Sequence, residues 1–290
     1  VQDFFMLITP RRSVLYMPAN NARALEKARS LPADCIVIDL EDAVSPTAKA
    51  EARQQAVAAV NVGGFGHREV AVRINAQGTP WFEDDLTACA ASAAKIVALP
   101  KVETAETVQA VAARLPEHIQ LWAMIETPRG VMNVEAIAQA HSRLQVLVMG
   151  TSDLSKELRV PPQASRFGLQ YALGRCVCAA RGAGVDIIDG VHLNFRDVEG
   201  FAAVCEQGKW LGFDGKSLIH PDQIAVANQT FAPSASEVAH AQKVLDAWRA
   251  AEVEGSGMAV LDGKLIENLH AAEAERVLLL YEAISANQST

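Results

Sequence analysis

A (β/α)8 TIM barrel with a C-terminal helical and hairpin extension is the fold class this sequence predicts, and three observations carry the prediction. Short apolar, β-branched runs recur along the chain without polar alternation, as in CIVIDL, LWAMI and VLVMG, which is the pattern of strands buried on both faces. Helix-like stretches separate them at intervals that suit parallel βαβ units. Eight such strands precede a change of pattern after Ile219, and eight favour a closed barrel over an open sheet. In order, the strands are expected at Ser13–Met17, Cys35–Leu40, Glu69–Asn75, Lys95–Leu99, Leu121–Glu126, Val146–Met149, Asp186–Val191 and Gly215–Ile219. Helices are expected over Asn21–Ser30, Thr47–Val60, Ala105–Leu115 and Gln163–Ala183. Beyond the barrel, Ala235–Glu252 and Ala271–Ile284 read as helices flanking a hairpin in MAVLDGKLI. The chain therefore divides into a catalytic barrel, 1–225, and an extension, 226–290, that packs on the barrel or on a neighbouring subunit.

Composition narrows the function classes. The 290 residues are 50% hydrophobic and 21% charged, as expected of a protein with a large core. A net charge of −8 argues against nucleic acid as the main partner. The opening VQDFFMLITP lacks a basic n-region and a small-residue cleavage site, and no run of 18 apolar residues occurs. No membrane partner is expected, and the cytoplasm is the expected location. Five cysteines without a CxxC pair fit reduced thiols there.

In barrel enzymes the chemistry gathers at the C-terminal strand ends. Asp39, Glu41 and Asp42 end the second strand, and Arg73 and Asn75 the third. Lys101 and Glu103 follow the fourth, Glu126 and Thr127 end the fifth, and Ser152 and Asp153 follow the sixth. Asp189 and His192 end the seventh, and His220 follows the eighth. Glu126 and Asp153, from adjacent strands, form a natural hard-cation pair. Two carboxylates without His or Cys at ligand spacing point to magnesium, or manganese, rather than zinc. The plainer alternative has Glu126 capping the helix at Pro128 and Asp153 ending a turn. Arg73 either clamps a substrate carboxylate or developing oxyanion, or forms a salt bridge with Asp39, Glu41 or Glu126. Glu41 and Asp42 either orient metal-bound water or hold Arg73 or Lys101. Arg23 and Lys27, spaced i,i+4, share a helix face and, with Arg11 and Arg12, offer a site for a polyphosphate; solvated surface charge is the alternative. His192 and His220 are left without a catalytic role.

RRSVLYMPANN, VIDLEDAVSPTAKAEAR, AVRIN, ALPKVET, MIETPRGV, VMGTSDL and GFDGKSLIHPDQI resemble, in order, the citrate lyase β-subunit-like branch of the HpcH/HpaI aldolase family, which includes malyl-CoA and citramalyl-CoA lyases. The resemblance runs from Arg11 to about Leu280. It implies a TIM barrel, Mg2+ and an acyl-CoA substrate. It marks Glu126 and Asp153 as metal ligands and Arg73 as a contact to substrate oxygens. Tyr16, Arg23, Lys27 and Ser217 match positions associated with coenzyme A. Asp262 looks like the catalytic aspartate that relatives supply from a neighbouring subunit, implying a homo-oligomer, trimer or hexamer; without the resemblance it reads as a hairpin-turn residue.

Two departures concern substrate preference: Pro18-Ala19 replaces the usual Pro-Gly, and Asn194 stands where the family often has Asp. TSDLSKEL looks more like free acyl-CoA lyases than the β subunit of a carrier-dependent citrate lyase. The implied reaction is Mg-dependent carbon–carbon cleavage of a 3-hydroxy-acyl-CoA such as citramalyl-CoA or malyl-CoA. It gives acetyl-CoA and a 2-keto acid, with Asp262 handling the acetyl proton. A malyl-CoA-type thioesterase on the same site and a citryl-thioester lyase working with a carrier partner are the alternatives.

Overall fold

The computed structural model describes residues 8–161 and 165–288. Eight parallel strands close into a barrel in chain order: β1 (Ser13–Pro18), β2 (Cys35–Asp39), β3 (Glu69–Arg73), β4 (Ile96–Leu99), β5 (Gln120–Ile125), β6 (Leu144–Met149), β7 (Asp186–Asp189) and β8 (Gly215–Leu218). All eight expected runs are strands, with ends within two residues of those expected. Around them run α1 (Ala22–Ala28), α2 (Lys49–Val62), α3 (Phe82–Ala90), α4 (Ala105–Arg114), α5 (Pro128–Met132), α6 (Val134–Ala138), α7 (Thr151–Glu157), α8 (Gln170–Ala183), α9 (Val198–Leu211) and α10 (Ile224–Phe231).

Strand pleating sorts the side chains into two dry layers. Val14, Val37, Ala71, Ala98, Trp122, Met124, Val148 and Ile188 fill the barrel interior. Their neighbours Leu15, Ile36, Ile38, Val72, Val97, Leu121, Leu147 and Ile187 join the larger layer beneath the helices. Both faces are buried, so the runs show no polar alternation. The helix starts are set locally: Asn21, Thr104, Thr127 and Asp197 cap α1, α4, α5 and α9 by accepting a backbone N–H. Closure of β8 on β1 requires glycine at 215, because a Cβ there would lie 1.9 Å from the Arg11 carbonyl oxygen.

The N-terminal end of the barrel is sealed by charge. Arg11 donates to Glu69 (2.6 and 2.9 Å) and Asp186 (2.5 Å), the first residues of β3 and β7, with its guanidinium 5.9 Å from the Trp122 ring. Arg12 makes a two-point pair with Asp34 at 2.8 Å. The sequence leaves Arg11 and Arg12, with Arg23 and Lys27, either as a site for a polyphosphate or as solvated surface charge. Arg11 and Arg12 instead sit at the end opposite the strand C-termini, paired with the buried Asp34 and the partly buried Glu69 and Asp186.

The helix expected from Gln163 begins at Gln170; Gln163 itself lies outside the described residues. Arg166 has φ +49°, which a right-handed helix cannot continue, and a 3-10 turn over Phe167–Leu169 intervenes. The five cysteines are free and four are buried; Cys176 and Cys178 face opposite ways, the first into the core and the second to solvent. Among the described residues no helix is long and apolar enough to cross a membrane.

The chain divides into two compact units, the first Arg11–Phe231 and the second running from Ala232 onward. The division falls after α10 rather than at 225, because α10 packs with β1 and β8. In the second unit, α11 (Ala235–Val253) starts with a reciprocal Ser234–Glu237 cap, and α12 is Asn268–Gln288. Between them β9 (Ala259–Leu261) and β10 (Lys264–Ile266) form an antiparallel hairpin. Asp262 and Gly263 at its tip have φ of +52° and +75°, the signature of a type I′ turn. Val244, Leu245, Ala259, Ile266, Ala271 and Ala274 build this unit's own core.

Candidate active site

At the C-terminal end of the barrel, Arg73 leaves β3 pointing inward and is only 7% exposed. Asp39, its register partner on β2, grips it with two bonds of 2.7 Å, and Glu41 adds an ion pair at 3.0 Å. Burial opposes the Arg73 charge, but the Asp39 and Glu41 carboxylates outweigh it and raise its pKa. Asp39 also accepts the Glu41 and Ala43 backbone N–H groups, which fixes the turn after β2. Glu41 turns back to accept from Lys101 Nζ at 2.5 Å, while Asp42 is exposed. The salt-bridge alternative for Arg73 is thus what the geometry contains, with Asp39 and Glu41 as partners. Glu41 takes the holding role toward both Arg73 and Lys101.

Glu126, 3% exposed, follows β5 and accepts the Lys101 backbone N–H at 2.7 Å. It does not cap α5, because Thr127 does. Gly150 lies against it: a Cβ at 150 would sit 2.2 Å from Glu126 Oε2. Burial, and then the Glu41 charge, push the Glu126 carboxyl up to about 7, against the pull of Arg73 and Lys101. Asp153 is in the first turn of α7, about one-third exposed, with Oδ2 3.5 Å from Lys101 Nζ. Lys101 has φ +52°, a costly conformation for a lysine, and stands between Glu41, Glu126 and Asp153.

Among the described residues no group of three His, Cys, Asp or Glu side chains gathers at metal-binding distance. A hard cation needs no such group, since it keeps water and substrate oxygens around one or two carboxylates. The donor set fits such a cation. Burial and the Glu41 charge raise the Glu126 carboxyl despite Arg73 and Lys101, and a cation beside it would favour its ionised form.

Tyr16 lies within the barrel, its ring 5.0 Å from the Arg73 guanidinium. Burial raises its phenol pKa, Glu126 and Asp39 adding to the effect, so it remains an O–H donor. Ser217, opposite Val14 in the β1–β8 register and 2% exposed, belongs to the same interior. Arg23 and Lys27 are exposed on α1. The expected coenzyme A set thus splits into two interior hydroxyls beneath Arg73 and two surface cations. Asp262 is exposed at a hairpin tip in the second unit. His220 accepts the Asp222 N–H and stacks on Phe195, and His192 packs on Phe201; both serve the loops. Ala19 is fully buried and has no positive φ, so replacing glycine there leaves the backbone unstrained; Asn194 is exposed.

Residues 12–221 match the model of the HpcH/HpaI aldolase/citrate lyase family. The chain belongs to that family. It is 48% identical over 277 residues to a (3S)-malyl-CoA thioesterase of Cereibacter sphaeroides, covering 96% of each chain. It is 33% identical to the citrate lyase subunit beta of Leuconostoc mesenteroides, covering 94% of each. The crystal structure of CitE from Mycobacterium tuberculosis in complex with magnesium, acetoacetate and coenzyme A aligns with a TM-score of 0.78 at 29% identity, over 93% of this chain and 97% of that one. As a member of the HpcH/HpaI family the chain is an enzyme, and the barrel and the citrate-lyase-like branch expected from sequence are both found.

The sequence offers Lys101 as a partner that Glu41 or Asp42 could hold, but its position between Glu41, Glu126 and Asp153 depends on a left-handed turn that no motif announces. Asp85 escaped the sequence reading. Asp85 of α3, fully buried, accepts from the Asn75 side chain at 2.6 Å and from Arg53 at 2.7 Å, steadying the turn after β3.

Proposed function

We propose that this chain is a magnesium-dependent enzyme acting on a malyl-CoA-type thioester, with hydrolysis of the thioester as its main reaction. The observation that carries this reading is the 48% identity to a (3S)-malyl-CoA thioesterase along 96% of both chains, against 33% to a citrate lyase beta subunit. Hydrolysis therefore stands ahead of carbon–carbon cleavage, which the sequence motifs alone placed first.

Glu126 and Asp153 hold the Mg2+ in this reading, and Mn2+ could replace it. The cation supplies a positive charge that binds the hydroxy-acid end of the substrate and polarises its oxygens. Arg73, immobilised by Asp39, presents guanidinium N–H groups to the oxyanion that forms when water attacks the thioester carbonyl. The new C–O bond replaces the C–S bond, and the thiol of coenzyme A leaves with a proton. Tyr16 and Ser217 serve as hydroxyl donors beneath Arg73, and Arg23 and Lys27 as cations for the nucleotide end. Asp262, supplied by a second subunit of a homo-oligomer, acts as the base. Glu41 and Asp42 set the charge balance around Arg73 and Lys101.

The second reading, cleavage of the bond between the hydroxyl-bearing carbon and the acetyl carbon, is favoured by the citrate lyase beta relatives. Incubation of the purified chain with malyl-CoA and Mg2+ decides between them. Free coenzyme A thiol with intact malate means hydrolysis, whereas acetyl-CoA with glyoxylate means cleavage. Absence of both, with citramalyl-CoA also inert, overturns the proposal.

A further inference from the structure

A second buried charge cluster lies on the outer face of the barrel wall, away from Arg73. Asp189 and Lys216 are register partners on β7 and β8, both side chains are fully buried, and they pair at 2.9 Å. Arg166, from the segment between α7 and α8, reaches the same carboxylate with Nη1 at 2.6 and 2.8 Å from its oxygens. One carboxylate thus faces two cations. Arg166 is fastened further: Nε donates to Gln207 Oε1 of α9 at 2.7 Å, and Gln207 donates back to the Ser165 carbonyl at 2.7 Å. Its Nη2 has no hydrogen-bond partner among the described residues. Lys and Arg charges are costly to bury unless paired, and here both are paired with the Asp189 carboxylate.

The cluster leads to Asp153. Lys216 Nζ also donates to the Gly190 carbonyl, and Asp189 accepts the Gly190 N–H at 2.8 Å. Gly190 is held flat against Thr151, whose Oγ1 would lie 2.2 Å from a Cβ at 190. Thr151 opens α7, two residues before Asp153. On the far side of α7, Val160 packs on Gly168, and Arg166 with its positive φ closes the segment onto Asp189. The cluster therefore holds the start of α7 through Gly190 and, through Arg166, the segment that follows α7, while among the described residues Asp153 has a 3.5 Å ion pair with Lys101 to orient it.

We propose that Arg166, Asp189 and Lys216 are positioning residues that set the place of the Asp153 carboxylate through α7. This rests on the reading of Glu126 and Asp153 as the carboxylates that hold the cation. The test uses Arg166→Met, which removes the charge and the bonds of a loop residue without opening the barrel wall, and Arg166→Lys as the conservative partner. Mn2+ binding without substrate is followed by electron paramagnetic resonance, and hydrogen exchange of 151–157 is followed in metal-free protein. The expected result is Mn2+ binding about tenfold weaker in Arg166→Met, faster exchange of those amides, and partial recovery of both in Arg166→Lys. Mn2+ affinity within twofold of the unsubstituted protein, or unchanged exchange, overturns the proposal even if thermal stability falls. Failure of the unsubstituted protein to bind Mn2+ overturns the metal reading instead, and the exchange data still report separately on Arg166.

Discussion

The two ends of the barrel use the same ingredients to opposite effect. At the N-terminal end, Arg11 sits between Glu69 and Asp186, and Arg12 on Asp34, each cation closely matched by carboxylates. At the C-terminal end, Arg73 and Lys101 face more carboxylates, Asp39, Glu41, Glu126 and Asp153, and the buried Glu126 is raised to about 7 by burial and the Glu41 charge. The first arrangement is a plug and the second is a site in want of a positive charge. A closed set of ion pairs contributes to holding strands together, whereas an unbalanced one gives a ligand something to complete.

The largest effect expected from breaking this contrast is at Glu126. Glu126→Gln should lower turnover of malyl-CoA by at least about 10²-fold, and EDTA should abolish it reversibly, with Mg2+ restoring the unsubstituted protein; full activity in EDTA would refute the metal site. Next comes Asp39→Asn, which leaves Arg73 in place but loosens its two-point grip. Turnover should fall roughly 10–100-fold with a smaller change in KM, measured by steady-state kinetics. Arg11→Met tests the other end. It strands Glu69 and Asp186 and should cost roughly 3–5 kcal/mol in chemical denaturation, yet leave KM and kcat near normal wherever the protein remains folded. An equal loss of turnover there would erase the distinction between plug and site.

The smallest effect concerns pH. Burial works against the Asp189 charge, but Lys216 and Arg166 outweigh it and hold its carboxyl below the usual range. A depressed folded-state pKa gives stability that is present above the ordinary carboxylate pKa, about 4, and is lost as pH falls through the folded value. Denaturation midpoints should therefore drop on acidification below about pH 4, and Asp189→Asn should flatten that limb of the profile. An unchanged acid limb in the variant would remove Asp189 from the account.

Much of this was legible in the chain. CIVID, LWAMI and their counterparts are apolar on both faces, as strands of a covered parallel sheet are, and their eightfold recurrence between helix-like stretches pointed to a barrel. Strand-end position brought forward Arg73, Glu41, Glu126 and Asp153, because the βα turns of a barrel all open at one end. Other features were hidden because they depend on through-space pairing. Arg11 and Arg12 lie close to Arg23 in sequence, yet β1 runs the length of the barrel between them. Asp189 and Lys216 are 27 residues apart and meet only because β7 and β8 are in register on their outward faces. Lys101 joins the site through a left-handed backbone that its own residue type disfavours. Composition and period were enough to determine the layers, since burial of apolar area is additive and local pattern reports it. Which charges neutralise one another, and where carboxylates outnumber cations, was decided by the tertiary structure alone, because Coulomb energy depends on distances that the closing of the barrel creates.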